Sequence, residues 1–251
     1  MITIINRSNI QRQFQGGICT DIGIGRRNRS HPRPKQTPII TNSHKHLTAL
    51  KEWGPAVDAI RNGHQTILLR KGGVKEPTFT PRASQFLLFP TAFHTDVSLL
   101  KPSAQSQQNL SNDPKTSSTI LFDCVAHVTG AWTTTDPAVL EALDQLHIFG
   151  QGWLDARLRW RQTQALTVME VRGYRLVGKR VTVPAKDEYW GCFSWVDIDV
   201  TTTTTIQEIE QTCGAVPALS DAEFAEKQRI CRQGLKTLQD IREIPLQHHQ
   251  T

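Results

Sequence analysis

Cysteine is sparse: five residues in 251, at positions 19, 124, 192, 213 and 231, with no CxxC pair among them. An odd count without paired spacing excludes a disulfide framework and fits reduced thiols in a cytoplasm. Long apolar runs are missing too, and nothing approaches the roughly eighteen consecutive apolar residues that span a bilayer. No apolar stretch of secretory type precedes Cys19, so a secretory signal is not expected there either. Negative charge is almost absent from residues 1–45, where Asp21 stands alone against eight lysines and arginines. The other 206 residues hold 21 cations and 22 anions, so the formal net charge of +6 belongs to the first segment and not to the body.

Residues 1–45 also carry four glycines and three prolines without a sustained apolar period. Such a composition does not repay the entropy of ordering, and a disordered basic tail is expected. Residues 46–245 are expected to form a single α+β domain. Within it, residues 101–118 (KPSAQSQQNLSNDPKTSS) read as a loop insertion, rich in Ser, Gln and Asn with two prolines.

Pro55 after Gly54 opens a helix whose apolar face is Ala56, Val57 and Ile60, stopped at Asn62-Gly63. Apolar runs at Gln65–Arg70 and Gln85–Phe89 read as strands, and Thr119–Trp132 as a single long one. Asp136 before Pro137 marks a helix start. Ala165–Val177 is a strand with a break or bulge at Gly173, and Gly191–Val200 is the last strand. Ser220 with Glu223 forms a capping box before a terminal helix striped by Phe224, Cys231, Leu235, Leu238 and Ile241. Strands and helices do not alternate regularly, which argues against a doubly wound parallel sheet. The expected fold is α+β, a curved and mostly antiparallel sheet or a small barrel with flanking helices.

The densest polar cluster is Arg70-Lys71-Gly72-Gly73, followed by Glu76, Thr91 and His94. Two cations beside two glycines at a strand end suit an anion, because backbone N–H groups approach it closely there. The same residues also suit a tight hairpin with solvated cations, and this alternative stays open. Neither a GxxxxGK[ST] loop nor a GxSxG elbow is present. His94 with Asp96 and Cys124 with His127 have ligand-type spacing, but two ligands do not make a metal site. Asp197 and Asp199 share one strand face, an arrangement that either holds Mg²⁺ or simply faces water. Five aromatic residues (Trp153, Trp160, Tyr189, Trp190 and Trp195) lie near Arg157, Arg159, Arg161 and Arg172. Aromatic rings interleaved with arginine stack single strands or flipped bases, although tryptophan is more often core.

The strings LKEWGPAVDAIRNGHQTILLRKGGVKEP, FLLFPTAFH, EYWGCFSWVDI and PALSDAEF resemble the DUF1802 family over residues 47–226. That resemblance implies no particular activity. A fainter one is to ASCH domains: Leu50, Gly63, Thr66 and Arg70 match the spacing of a Leu, a helix and a G-x-K-T-x-E-x-R strand. Gln65 and Leu68 replace the two charged positions of that motif, which argues against ASCH-type catalysis. This resemblance implies a PUA-like barrel that binds RNA or modified bases.

The expected function is therefore binding of RNA, DNA or a nucleotide, with no cofactor, no metal and no membrane partner. Arg70 and Lys71 would contact phosphate, Gly72 and Gly73 would permit close approach, and Thr91 and His94 would line the cleft. Trp195 would stack. On this reading, replacing Arg70 with alanine removes binding and leaves folding intact. The alternatives are a metal-dependent phosphodiesterase or hydrolase using Glu76 and His94, and a non-catalytic protein-interaction adaptor using the aromatic surface.

Overall fold

The computed structural model describes residues 45–72, 78–92, 96–105, 118–160, 162–200 and 205–246. The chain divides into residues 1–42 and 43–251, and every described residue falls in the second unit. The basic segment expected to be disordered thus lies, apart from Lys45, outside the described residues, as do 106–117 of the expected insertion. Among the described residues no helix is long and apolar enough to cross a membrane.

In chain order the elements are β1 (Lys45–Trp53), α1 (Gly54–Arg61), β2 (Ile67–Lys71), β3 (Gln85–Thr91) and α2 (Pro102–Gln105). Then come β4 (Thr119–Phe122), β5 (Cys124–Thr134), α3 (Val139–Ala142), α4 (Gln151–Arg159), β6 (Leu166–Leu176), β7 (Val181–Pro184) and β8 (Trp195–Val200). The chain closes with α5 (Ile206–Cys213), β9 (Ala215–Pro217), α6 (Asp221–Lys236) and β10 (Arg242–Glu243).

The main sheet runs β2-β6-β5-β3-β1-β8, with β9 added beside β6 and β10 beside β5. Every pairing is antiparallel except β1 with β3. That parallel pair needs a crossover, which α1 and β2 supply. The expected curved, mostly antiparallel sheet is present, as an open sheet and not as a closed barrel.

Alternation along the strands sorts the side chains onto two faces. Leu50, Leu68, Phe86, Leu88, Ala126, Met169 and Val171 share one cluster on the inner face with Val57 and Ile60 of α1. The other face is covered in two halves. Leu87, Phe89, Val196 and Ile198 pack beneath α5 and the small β4–β7 ribbon. Ile67, Leu69, Leu166 and Val168 pack beneath α3, α4 and α6.

Two expectations change, and Leu47–Trp53 is the larger part of β1. The single strand expected over Thr119–Trp132 is two strands in different sheets, parted at Asp123, whose carbonyl accepts from Leu176 N–H at 3.0 Å. β6 runs through Gly173 without a break, and the register shift lies on β5 at Val128/Gly130, opposite Val171 and Glu170. Gly173 is needed for another reason: a Cβ there would lie 2.6 Å from the Ile60 carbonyl oxygen, so its absence lets α1 press against the sheet. Thr205, the last of five consecutive threonines, forms a capping box with Glu208 and starts α5, while residues 201–204 lie outside the described set.

Candidate functional site

At one end of the sheet, the last residues of β1, β2 and β3 meet α4 and the segment 190–194. Between them lies a cleft of about 330 Å³, lined by Lys51, Glu52, Trp53, Arg70, Thr91, Trp153, Arg157, Trp190, Gly191 and Phe193. Arg70 explains why these pieces converge. It stands on β2, one edge of the main sheet path, yet its guanidinium reaches the other edge. Nη1 donates to the Lys51 carbonyl at 3.2 Å and to Glu52 Oε2 at 3.1 Å, and Nη2 donates to Ser194 Oγ at 2.7 Å. The sheet is curved enough for one side chain to join its two edges. Phe79 supports that side chain from beneath, with its ring centroid 5.2 Å from the guanidinium carbon.

The opposite wall is α4. Trp153 stacks on Phe149 at 3.8 Å and meets Trp53 edge-on at 6.4 Å, which pins the start of the helix. Arg157 follows one turn later on the same face, and its guanidinium lies 4.8 Å from the Trp153 ring centroid. The far end of the helix is held by Lys71, whose Nζ donates to the carbonyls of Trp160 at 2.8 Å and Leu158 at 3.3 Å. A cation at this end also suits the helix dipole. The third wall is Gly191–Phe193. Lys51 Nζ sits 3.7 Å from the Phe193 centroid and donates to the Gly191 carbonyl at 3.2 Å. Gly191 adopts φ +137°, a conformation that side chains disfavour, so glycine is required to present that carbonyl.

The cleft holds three cations and one carboxylate. Glu52, buried, is already paired with Arg70. Arg157 has no such partner: its Nε is buried without a hydrogen-bond acceptor, and none of the ion pairs among the described residues involves it. Burial pushes its guanidinium down to about 10, Arg70 adds repulsion, and Glu52 partly offsets both. Burial likewise pushes the Lys51 amine down to about 8, with the nearby Cys192 opposing. An environment that disfavours cations but collects them is completed by an anion.

The model of DUF1802, a domain of unknown function, matches residues 49–229 of this sequence. The chain belongs to the DUF1802 family. No curated protein matches it. Among solved structures, a point variant of the ASCH protein from Zymomonas mobilis is 11% identical, covering 56% of this chain and 91% of that one, with a TM-score of 0.34. The unaltered ASCH protein from the same organism is also 11% identical, covering 56% and 88%, with a TM-score of 0.32.

In the DUF1802 chain two of the expected site residues share the cleft: Arg70, and Thr91, whose Oγ1 donates to the Glu52 carbonyl at 3.3 Å. Two others lie elsewhere. Lys71 is buried and holds the end of α4, so its ammonium is not directed at the cleft. Trp195 is a core ring, stacked on Phe79 at 5.8 Å and edge-on to Phe86 at 5.0 Å, beneath the bridge that Arg70 makes. Gly72 is buried just past β2 and does not line the cleft. Gly73, Glu76, His94 and Arg161 lie outside the described residues. From the aromatic and arginine cluster, Trp153, Arg157 and Trp190 do reach the cleft, whereas Arg172 pairs with Asp221.

Lys51, Glu52, Trp53 and Phe193 were missed. Their one local signal is a charged pair closing an otherwise apolar run, Leu-Lys-Glu-Trp, a place where a strand end meets a polar site. The remaining metal-type patterns are occupied by protein partners. Asp197 pairs with Arg82 at 2.8 Å, Asp199 with His46 at 2.7 Å and with Lys186, and His127 with Glu210 at 2.6 Å. Cys124 is fully buried, and burial drives its thiol well above the ordinary range. Among the described residues no three His, Cys, Asp or Glu side chains group as a metal site would require.

Proposed function

We propose that the DUF1802 chain binds nucleic acid or a nucleotide, and that this cleft takes one nucleotide unit. The base would lie against the aromatic walls of Trp153, Trp190 and Phe193, and the phosphate against Arg157 and the outer edge of Arg70. The observation that carries this reading is Arg157, a guanidinium stacked on an indole with a buried, acceptor-less Nε facing a second arginine. A planar cation of this kind matches phosphate in geometry as well as charge, and an aromatic platform beside it accepts any base. The volume of about 330 Å³ lies within the range of small-ligand sites.

The test is titration of the full chain with single-stranded RNA, single-stranded DNA and free nucleotides, following tryptophan fluorescence at several salt concentrations. Affinity should fall with salt, and Arg157→Ala should lower the log–log slope by about 0.7, the value for one phosphate contact on a single strand. Phosphate affinity from the basic residues before position 45 would leave that slope untouched by Arg157→Ala. An unchanged slope, or no affinity for any of these ligands at low salt, overturns the reading.

A further inference from the structure

Lys51 is not needed to explain phosphate binding, and its surroundings point to chemistry. Its Nζ stands in the cleft against Phe193, and among the described residues its polar contact is a neutral carbonyl and no carboxylate pairs with it. Among the described residues, the charged and titratable groups of the cleft and of its facing segment are Arg70 from β2, Arg157 from α4, Cys192, and Glu52 beside Lys51 on β1, the last already committed to Arg70. We propose that Lys51 is a carbonyl-reactive amine, and that the cleft joins phosphate-bearing aldehydes to it as an imine. This rests on reading Arg157 and Arg70 as the phosphate seat.

The step balances without an oxidant or reductant. The neutral amine attacks the carbonyl carbon, a C–N bond forms, and the carbonyl pair moves to oxygen, which takes one of the two amine protons. The carbinolamine then loses its hydroxyl together with the remaining proton on nitrogen as water, and the nitrogen pair closes C=N. Availability of the neutral amine limits such reactions, and burial supplies it: at pH 7 about one Lys51 in ten is neutral at a pKa of about 8. A lysine at its ordinary value has only about one in three thousand. Aldehydes of the required kind come from two sources, a small sugar phosphate or a DNA strand whose base has been lost and whose sugar has opened.

The experiment incubates the full chain with borohydride and one of three aldehydes, then maps the reduced adduct by peptide mass spectrometry. The aldehydes are glyceraldehyde 3-phosphate, a DNA oligonucleotide with one abasic site, and propanal, which lacks phosphate. The expected result is an adduct on Lys51 at least ten times more abundant than on any other lysine, formed with a phosphate-bearing aldehyde and not with propanal. Lys51→Arg should abolish it, and Arg157→Ala should reduce it. Adducts spread over exposed lysines, or propanal reacting as well as the phosphates, overturn the proposal. Binding of RNA with no Lys51 adduct from either phosphate-bearing aldehyde removes this proposal and leaves the binding reading standing. An adduct with glyceraldehyde 3-phosphate in a chain that binds neither nucleic acid nor a free nucleotide supports this proposal in its small-molecule form and removes the other.

Discussion

Two arginines on two helices flanking the same sheet meet opposite fates. Arg232, on α6, donates to Glu170 at 3.0 Å, and that bond raises its affinity for its proton. Arg157, on α4, forms no ion pair among the described residues, and burial with repulsion from Arg70 lowers its affinity, which Glu52 offsets only in part. Around Glu170 the protein supplies the counter-charge: the carboxylate is 1% exposed, its Oε1 accepts from Thr129 at 2.8 Å, Gln228 at 2.8 Å and Arg232, and Oε2 alone is buried without a partner. Around Arg157 the protein supplies aromatic walls and further cations. Burying charge is costly in both places, but only at Glu170 does a directly bonded counter-charge offset it. The difference separates a charge that holds the fold from a charge that the fold holds for something else.

The largest expected effect tests the first half of that contrast. Glu170→Ala removes the acceptor for three donors and unties α6 from β6. Arg232 is half exposed and recovers water, so the loss should be about 3 kcal/mol, near the lower end for breaking a buried pair. Urea unfolding measures it, and nucleotide affinity of the folded fraction should not change. A loss below about 1 kcal/mol would show that this cluster does not anchor the helix.

Arg70→Ala comes next, and here the two regions blur. The guanidinium bridges the sheet edges and also fronts the cleft, so stability should fall by about 2 kcal/mol, with Glu52 left buried and unpaired. Binding should weaken at the same time. The sequence-based expectation of lost binding with intact folding is thereby revised, because a residue at a strand end seen alone shows its charge and not the edge it reaches. Urea unfolding and tryptophan titration of the same sample separate the two losses.

What was legible in the chain was local. β2 and β3 show as unbroken apolar runs, the α1 start as Gly-Pro, and the α6 start as the Ser220–Glu223 box, because each of these signals acts within a few residues. β1 was not legible: its Lys51 and Glu52 interrupt the pattern, and its strand character comes from β3 and β8, which flank it from far along the chain. The site divided in the same way. Arg70 and Thr91 could be found as polar residues at strand ends. Pairing Lys51 with Phe193, or setting Arg157 opposite Arg70, takes the curvature of the sheet, which no spacing encodes. Trp195 was misplaced because alternation shows that two residues face opposite ways without showing which way is inward.

Arg157→Met has the smallest effect on stability and bears most directly on the contrast. The substitution keeps an unbranched, apolar stem against Trp153 and removes a cation that is desolvated, unpaired and repelled by Arg70. Replacing an uncompensated buried charge by an apolar side chain of similar length is neutral or stabilising, so unfolding should shift by less than about 1 kcal/mol, in the stabilising direction. Phosphate-dependent binding should nevertheless drop by about 10- to 100-fold, the worth of a charge-assisted hydrogen bond to one phosphate. Arg232→Met is the matched control: stability should fall and binding should hold. If Arg157→Met instead destabilises as Glu170→Ala does, Arg157 is a structural residue like Arg232, and the cleft loses the charge excess on which its function as a binding site depends.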